Sequence, residues 1–230
     1  MSGHETQTGS GQLTTTRGHH MDVDDLFDVA TVCDISDSCD QLGVPCVRTG
    51  KIRPVYAGCA PFAGTITTVS LRPGRGTRLT SLIRIFEDTE DDAVLVDLGE
   101  RTDVQCWGTL LATAALRFGV RAALVNGATR DADQLAALGF PTFARGTHPA
   151  SMRGRLSLTG MGGDVVVEGR PVISGCAVAA DPNGVVFLPR EHADKVFDLA
   201  RQIAAAEQRL LDRIRSVSRP TTEALDTILP

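Results

Sequence analysis

The residues best suited to chemistry follow a short apolar run in the middle of the chain. Residues 121–125 are predicted to form a buried strand, and the turn Asn126–Asp131 comes directly after it. Ligands of open α/β sheets bind at the carboxyl ends of strands. There Arg130 can hold a carboxylate with two hydrogen bonds, and Asp131 can offer oxygen ligands to a hard cation. The same pattern also fits a plain surface pair beside a helix start, so both interpretations stay open.

A second candidate is the segment Gly99–Asp103, followed by the group Gly108–Leu111. The first segment follows a predicted strand at 93–98 and is expected to open a helix. Free N–H groups at helix starts attract anions, which makes this a candidate anion site. An ordinary capped loop explains the same residues. The nearby segment Arg72–Gly76 is interpreted as a loop.

A third candidate is Glu207 in the last predicted helix. It lies four residues after Ile203 and four before Leu211, on the apolar stripe of that helix. A carboxylate in this position must be paired, bind a metal-associated water or face a partner subunit. Alternatively, Glu207 lies at the edge of the stripe and simply reaches solvent.

The composition restricts what kind of site these residues can build. The formal net charge is −5, which argues against a nucleic-acid-binding surface. Lys51 and Lys195 are the two lysines among 23 basic residues, and only His148 and His192 lie outside the first twenty residues. A Schiff-base lysine and an imidazole-rich metal site are therefore disfavoured, and arginine, carboxylates and backbone groups are expected to carry the chemistry.

The six cysteines form no CxxC pair and lie near no histidine pair, which argues against structural zinc. Without an apolar run of about 18 residues or a recognisable secretory signal, we expect no membrane span and a cytoplasmic protein with buried or half-buried thiols. Residues 1–20 are predicted to be a disordered tail, residues 21–217 one domain and residues 218–230 a second tail.

The elements that must position the candidates alternate between strand and helix in the middle third, which predicts an α/β fold with parallel pairing. Between residues 164 and 188, short strands separated by glycine and proline predict a compact β layer. The predicted helices are residues 22–31 (capped by Asp22 or Asp24), 36–42, 104–118, 132–138 and 190–217, and the predicted strands of the first two thirds are residues 63–71, 93–98, 121–125 and 141–144.

Four segments resemble the RraA-like superfamily, which includes 4-hydroxy-4-methyl-2-oxoglutarate/4-carboxy-4-hydroxy-2-oxoadipate aldolases and proteins labelled dimethylmenaquinone methyltransferase-like. The resemblance extends over roughly residues 26–215, and ALVNGATRDADQLAALGFPTFARG is its most specific part. The four segments are CDISDSCDQLG (33–43), IRPVYAGCAPFAGTITTV (52–69), ALVNGATRDADQLAALGFPTFARG (123–146) and AVAADPNGVVFLP (177–189).

The resemblance implies a swivelling β/β/α-type fold, with a central β layer flanked by helices, assembled as a homotrimer or homohexamer with active sites at subunit interfaces. It also implies that Asp131 binds Mg²⁺ or Mn²⁺ and that Arg130 holds the pyruvyl part of the substrate. The turn Gly108-Thr109-Leu110-Leu111 would bind the substrate carboxylate, with the N–H groups of Leu110 and Leu111 as donors. Glu207 would come from a neighbouring subunit.

Two departures from the family pattern qualify the expected activity. Thr109 replaces the usual Asp or Glu of the Gly-Asp/Glu-Leu-Leu turn, so it cannot supply the negative charge that organises metal-bound water. Ser174-Gly175-Cys176 replaces the usual Pro-Gly-Asp. Both changes raise the question of a different substrate.

The resulting expectation is a divalent-metal-dependent lyase that cleaves 4-hydroxy-2-oxo diacids to pyruvate, with oxaloacetate decarboxylation as a side activity. A metal-bound water would shuttle the proton. Two alternatives stay open. One is a repurposed enzyme of secondary metabolism that performs another lyase, isomerase or cyclisation step on an anionic substrate. The other is a non-enzymatic regulator of ribonuclease E.

Overall fold

The computed structural model describes residue 23, residues 25–217 and residue 222. The predicted tails at 1–20 and 218–230 therefore lie outside the described residues, apart from residue 222. Within the described part, no helix is long and apolar enough to span a membrane. The helices are α1 (Leu26–Val29), α2 (Val32–Leu42), α3 (Leu79–Asp88), α4 (Thr109–Arg117), α5 (Ala132–Leu138) and α6 (Ala193–Ser216). The strands are β1 (Val47–Thr49), β2 (Arg53–Pro54), β3 (Phe62–Pro73), β4 (Ala93–Asp97), β5 (Gln105–Trp107), β6 (Ala122–Thr129), β7 (Thr142–Thr147), β8 (Leu156–Met161), β9 (Val165–Val167), β10 (Arg170–Val172), β11 (Ala177–Asp181) and β12 (Gly184–Leu188).

Ten of these strands form one mixed sheet in the order β1-β12-β11-β3-β4-β6-β7-β2, with β5 paired to β6 and β8 paired to β3. The pairs β3–β4, β4–β6, β5–β6 and β6–β7 are parallel. The remaining pairs are antiparallel. Strands β9 and β10 form a separate antiparallel hairpin. The predicted α/β fold is confirmed, with its parallel pairing in the middle of the chain.

Alternating side chains show how the sheet curls around a shared core. Val96 on β4 packs with residues of α3, α4 and α5, whereas the adjacent Leu95 packs on the opposite side of the strand. Phe187 on β12 belongs to the same core as Leu95, and the adjacent Val186 packs with residues of α1, α2 and α6. Because successive side chains of a strand point to opposite faces, the two halves of the sheet enclose one apolar core and carry helices outside it.

Helix α2 begins four residues earlier than the sequence pattern predicted, because Thr31 caps it. The Thr31 hydroxyl accepts hydrogen bonds from the backbone N–H groups of Cys33 (3.2 Å) and Asp34 (3.4 Å). The Asp34 carboxylate in turn accepts one from the Thr31 backbone N–H at 2.7 Å. This reciprocal capping box satisfies donors that the first helical turn leaves free. Gly43 ends the helix in the left-handed region, with a φ of 64°, which glycine adopts without strain.

The predicted helix at 104–118 was wrong in its first third. Gln105–Trp107 is a buried strand that pairs with β6, and helix α4 begins at Thr109 after an extended Gly108. An apolar run that is buried on all sides is compatible with a strand or a helix. Here β4 pairs with β6 only as far as Asn126, and residues 105–107 pair in parallel with the part of β6 beyond it. The predicted helix at 22–31 is limited to Leu26–Val29 among the described residues, with Asp25 rather than Asp22 or Asp24 at its N-cap.

Candidate functional site

The site begins where β5 and β6 end side by side. Trp107 on β5 is opposite Thr129 on β6 in the parallel register. The Trp107 carbonyl accepts hydrogen bonds from the Thr129 hydroxyl at 2.9 Å and from the Arg130 backbone N–H at 3.0 Å. Because parallel strands end at the same edge, these bonds place Gly108 next to Arg130 and Asp131. The two sequence candidates at 108–111 and 126–131 thus form one site.

Asp131 is held in an uncommon conformation at this edge. Its φ is 60°, in the left-handed region that aspartate enters more readily than most residues, and it is the N-cap of α5. Its Oδ2 accepts a hydrogen bond from the Thr109 backbone N–H at 3.3 Å and lies 3.3 Å from the Nε of Arg130. The Asp131 side chain is 32% exposed, so the carboxylate is fixed by neighbours yet accessible to a ligand.

Gly108 makes this arrangement sterically feasible. A Cβ at position 108 would lie 2.7 Å from Oδ2 of Asp131 and 3.1 Å from Cγ of Arg130. Its φ of −178° is ordinary extended backbone, so the requirement for glycine comes from space and not from conformation. The close approach lets the backbone of α4 contact the carboxylate directly.

The first turn of α4 presents hydrogen-bond donors beside the carboxylate. The N–H of Ala112 donates to the Gly108 carbonyl at 3.1 Å, and that of Thr109 donates to Asp131. The N–H groups of Leu110 and Leu111 fall within the helical turn that has no intrahelical acceptors, and no acceptor for them occurs among the described residues. Two donors and the positive end of the helix dipole are therefore available to an anion.

These residues line a cleft of about 430 Å³, which we call the Arg130–Asp131 cleft. Three guanidinium groups and one carboxylate are the charged groups of its described lining, which gives it a net positive charge. Sequence reasoning selected Arg130 and missed Arg78 and Arg153. These two arginines lie 52 and 23 residues away from Arg130 in the sequence, in segments without a motif. The lining residues are Thr77, Arg78, Leu79, Thr80, Leu82, Gln105, Cys106, Trp107, Gly108, Leu110, Leu111, Arg130, Asp131, Ser151, Met152 and Arg153.

Several polar atoms at this edge are buried without a hydrogen-bond partner. They are Nε1 of Trp107, Oγ1 of Thr109 and Nε of Arg130. The Arg130 Nε lies near the Asp131 carboxylate, but that contact is electrostatic and lacks hydrogen-bond geometry. Buried polar atoms are nearly always paired in native proteins, so three such atoms around one cleft indicate a site that is completed by water or a ligand.

The donor set suits one kind of metal ion better than others. No group of three histidine, cysteine, aspartate or glutamate side chains comes together among the described residues, which argues against zinc. Asp131 is the single carboxylate of the cleft lining, and its Oδ1 has no partner in the described part of the chain. Mg²⁺ commonly uses one or two protein carboxylates and fills its other positions with water and substrate oxygens, so these residues fit Mg²⁺ or the similar Mn²⁺.

Glu207 is not brought to the cleft within one chain. It is exposed on the second half of α6 and does not belong to the cleft lining. The buried residues of α6 all lie in its first half, up to Ala200, whereas Leu211 in the second half is 44% exposed. The predicted role of Glu207 therefore requires a second copy of the chain.

The segment Gly99–Asp103 does not open a helix, contrary to the prediction. It leads into β5 instead, and Arg101 and Asp103 form an exposed ion pair at 2.7 Å. Glu100 has a φ of 67°, and its carboxylate lies 2.9 Å from Nη2 of Arg145. This segment therefore belongs to an ion-pair network and not to a helix-start anion site.

That network centres on Arg145, whose side chain is only 7% exposed. Its Nε donates to the Asn126 side-chain carbonyl at 2.6 Å, and its Nη2 donates to Glu168 at 2.7 Å. Lys51 donates to the same Glu168 carboxylate at 2.8 Å. The hydrogen bonds from Lys51 and Arg145 lower the pKa of Glu168 to about 2. The network was not predicted, because its members come from five distant segments.

The amide of Asn126 links this network to a buried carboxylate at the end of β4. Its Nδ2 donates to Oδ1 of Asp97 at 2.7 Å, and Asp97 is 1% exposed. Arg72 donates to the other carboxylate oxygen at 2.6 Å. The first residue of the predicted site loop, Asn126, thus fixes strand ends rather than contacting the cleft.

The cysteines are free thiols, as predicted, although Cys33 is exposed rather than buried. Cys176 lies in a different cavity from the Arg130–Asp131 cleft, and burial, followed by the nearby Asp91 charge, raises its pKa to about 12. The hydroxyl of Ser174 accepts a hydrogen bond from the Thr68 N–H at 3.1 Å. The departure at 174–176 therefore lies outside the cleft, whereas Thr109 lies at its edge.

Comparison with known proteins agrees with this architecture. A family model described as RraA-like, Aldolase/RraA, matches residues 32–187. A protein of Halalkalibacterium halodurans with the provisional name 4-hydroxy-4-methyl-2-oxoglutarate aldolase is 27% identical over 183 residues, which is 78% of this chain and 82% of that protein. Protein DlpA of Legionella pneumophila is 26% identical over 187 residues; the match spans 80% of this chain but only 30% of DlpA.

A solved structure shares the fold. The crystal structure of Streptomyces coelicolor RraAS2, described as an unusual member of the RNase ES inhibitor RraA protein family, superposes with a TM-score of 0.70. The sequence identity is 24%, and the match covers 84% of this chain and 96% of RraAS2. At this identity the similarity shows that the two proteins share a fold. The activity of this chain has to be argued from the residues of its site.

Proposed function

The chain belongs to the RraA-like family, Aldolase/RraA, and from this premise we propose that it is a divalent-metal-dependent lyase. Its proposed substrates are 4-hydroxy-2-oxo diacids, which it cleaves to pyruvate, and oxaloacetate decarboxylation is a side activity. The observation that carries the proposal is the Asp131 carboxylate, fixed by the Thr109 N–H and beside the Arg130 guanidinium at the mouth of a positively charged cleft.

Each group at the cleft edge has a proposed role. Arg130 binds the 2-oxo acid end of the substrate, because a guanidinium matches a carboxylate with two parallel donors. The N–H groups of Leu110 and Leu111 bind the same carboxylate from the start of α4. Asp131 holds Mg²⁺ or Mn²⁺, which when bound supplies a Lewis acid for the developing negative charge.

The reaction breaks the bond between C3 and C4 of the substrate. Its electron pair moves to C3 and is delocalised onto the C2 oxygen as the enolate of pyruvate, while the 4-hydroxyl loses a proton and C4 becomes a carbonyl carbon. A proton is then added to C3. The positive charge of Arg130 stabilises the enolate, and the fixed geometry of Arg130 and α4 means that little reorganisation is needed as the charge develops.

Water is the proposed proton carrier. The described lining of the cleft contains no histidine, lysine or glutamate, so a side-chain base of the usual kind is missing there. We place Glu207 of a second chain, in a homotrimer or homohexamer, next to that water. The exposed carboxylate and the exposed Leu211 on the second half of α6 support this placement.

The test is release of pyruvate from 4-carboxy-4-hydroxy-2-oxoadipate and 4-hydroxy-4-methyl-2-oxoglutarate, measured with a coupled lactate dehydrogenase assay. We expect turnover with Mg²⁺ and its loss in EDTA. Arg130→Ala and Asp131→Ala should each lower kcat/KM by about 100-fold or more, which corresponds to about 2.7 kcal/mol of transition-state stabilisation.

Arg101→Ala and Asp103→Ala provide a matched control, since these residues form an exposed ion pair outside the cleft. Both should keep full activity. Turnover that persists in EDTA, or full activity of Arg130→Ala and Asp131→Ala, would refute the proposal. Tight capture of ribonuclease E without any turnover would replace it with the regulator, and turnover of another anionic substrate alone would replace it with a repurposed enzyme.

A further inference from the structure

We propose that a second cavity of this chain binds a monocarboxylic acid with an apolar chain, with the carboxylate on Arg170 and the chain inside. The cavity has a volume of about 430 Å³, and we call it the Cys176 cavity after the thiol in its wall. Its described lining shares no residue with that of the Arg130–Asp131 cleft. The inference therefore goes beyond the proposed function and does not depend on it.

The inner wall of the Cys176 cavity is apolar. It is built by side chains of β10 and β12, and those of Val172, Phe187 and Leu188 are each 2% exposed. The Cys176 thiol stays neutral at neutral pH, because burial and, to a lesser extent, the charge of Asp91 raise its pKa to about 12. A wall of this kind stabilises a hydrocarbon chain, and the volume of the cavity is typical of small-molecule sites.

The turn after β10 holds an isoleucine at the exposed edge of the cavity. Ile173 lines the cavity and is 60% exposed. Its turn is fixed against β3, because the Gly175 N–H donates to the Ile66 carbonyl at 2.7 Å and the Ile66 N–H donates to the Cys176 carbonyl at 3.2 Å. The turn is therefore a fixed wall, and an apolar ligand in the cavity would remove part of the isoleucine side chain from water.

Arg170 reaches the same cavity from a hairpin of fixed shape. Glu168 and Gly169 form the two-residue turn between β9 and β10, with φ values of 49° and 73° that suit the twist of a tight hairpin. The Glu168 carboxylate accepts hydrogen bonds from Lys51 at 2.8 Å and from Arg145 at 2.7 Å. These bonds anchor the turn to the large sheet, so the position of Arg170 is set before any ligand binds.

The Arg170 guanidinium is not used by the protein itself. In the part of the chain that the structure describes, it makes no hydrogen bond or ion pair, and the residue is exposed. The charged residues of the described lining are Arg170, Arg190 and Glu191, which gives the cavity a net positive charge. A guanidinium binds a carboxylate with two parallel hydrogen bonds, and here the apolar part of the same molecule would lie against the inner wall. The combination favours an acid with an apolar chain over a plain anion or a plain hydrocarbon.

The departure from the family pattern at residues 174–176 lies in this cavity. Cys176 takes the place of an aspartate, and a carboxylate in the wall would repel an acid that is bound at Arg170. The neutral thiol removes that repulsion. The change in sequence and the unpaired guanidinium thus point to the same class of ligand.

Calorimetric titration of the purified chain with octanoate tests the inference. Octanol has a chain of the same length without the charge, and acetate has the charge without the chain. The parent chain should bind octanoate about 10-fold more tightly than either of them, or better. Arg170→Gln should weaken octanoate binding about 10-fold and leave octanol binding within about twofold. Ile173→Ser should weaken the binding of both, because it removes apolar surface from the cavity.

Arg75→Gln is the matched control, because Arg75 is also exposed and does not line the cavity. It should change no affinity. Equal binding of octanoate and octanol by the parent chain would overturn the inference, and so would unchanged octanoate binding in Arg170→Gln. A parent chain that binds no octanoate, together with a smaller assembly for Ile173→Ser in light scattering, would show instead that a second copy of the chain covers the cavity. If the chain releases no pyruvate but the octanoate results are as expected, the cavity site stands and only the proposed function fails.

Discussion

Gly108 and Asp131 are in such close contact that no larger residue than glycine fits opposite the carboxylate. A Cβ at position 108 would lie 2.7 Å from Oδ2 of Asp131, a distance that Cβ atoms essentially never show. The contact joins two strand ends that are 23 residues apart in sequence. It makes the backbone of α4 part of the immediate surroundings of the carboxylate.

Gly108→Ala should lower pyruvate release at least 10-fold, because the added methyl group must displace Asp131 or the Cγ of Arg130. Gly146→Ala is the control, since a Cβ there meets no atom within 4 Å. It should keep its activity. The coupled assay measures the activity of both variants, and circular dichroism verifies that they fold. Full activity of Gly108→Ala would show that the exact position of the Asp131 carboxylate does not matter for the reaction.

Thr109→Asp should bind Mg²⁺ about 10-fold more tightly than the parent chain. The new carboxylate adds negative charge close to Asp131, and two like charges without a cation are unfavourable. The variant should therefore melt at a lower temperature without Mg²⁺ and regain stability when Mg²⁺ is added. Calorimetric titration with MgCl₂ tests this against the neutral Thr109→Asn, and equal affinities in the two variants would contradict a cation at Asp131.

Mixed assemblies should reveal whether Glu207 acts on a neighbouring chain. Asp131→Asn and Glu207→Gln are each expected to be nearly inactive alone. When both chains are co-expressed and assemble at random, about a quarter of the interface sites combine an intact Asp131 with an intact Glu207. The mixture should recover activity in that proportion. If it stays as inactive as the separate variants, Glu207 does not complete the site of another chain.

Asp97→Ala should destabilise the fold by about 3 kcal/mol. Asp97 is 1% exposed and accepts hydrogen bonds from Arg72 and Asn126, so its removal leaves buried donors unpaired. Because Arg72 is 43% exposed, water can solvate its guanidinium when the carboxylate is removed. The loss of stability should therefore lie at the lower end of the range for broken buried ion pairs. Asp103→Ala removes only an exposed pair and should cost less than about 1 kcal/mol. Urea unfolding measures both, and equal losses would refute the prediction.

Glu168 should stabilise the fold at neutral pH and lose that effect in acid. Its folded-state pKa is about 2, below the value of about 4.3 for an unfolded glutamate. The stabilisation is therefore complete above the unfolded pKa and disappears as the pH falls through the folded pKa. The melting temperatures of the parent chain and Glu168→Gln should differ most at pH 7 and converge near pH 2.

The exposed Glu90 offers a reference for this experiment, because it makes no ion pair in the described part of the chain. Glu90→Gln should melt like the parent chain at every pH. A gap between the parent chain and Glu168→Gln that stays constant from pH 7 to pH 2.5 would show that Lys51 and Arg145 do not hold the carboxylate ionised.

Local patterns were sufficient for several elements of the fold. The apolar runs at 93–98 and 121–125 predicted β4 and the first part of β6, and the helix predicted at 132–138 has the observed bounds. Each of these signals lies within one continuous segment, where period and flanking residues decide the structure. The same method failed at residues 105–107 of the helix predicted at 104–118, because this fully buried part has no exposed face to set its period.

Residue types and their spacing were enough to predict the chemistry of the candidate site: a carboxylate and a guanidinium after a strand, few lysines and histidines, and a glutamate on an apolar helix face. Which of these groups meet could be seen only in the folded chain. Folding placed Gly108 against Asp131 through the register of β5 on β6, and it brought Arg78 and Arg153 into the same cleft. The physical reason is that residue types are local properties, whereas contacts between distant strand ends and loops depend on how the sheet pairs and curls.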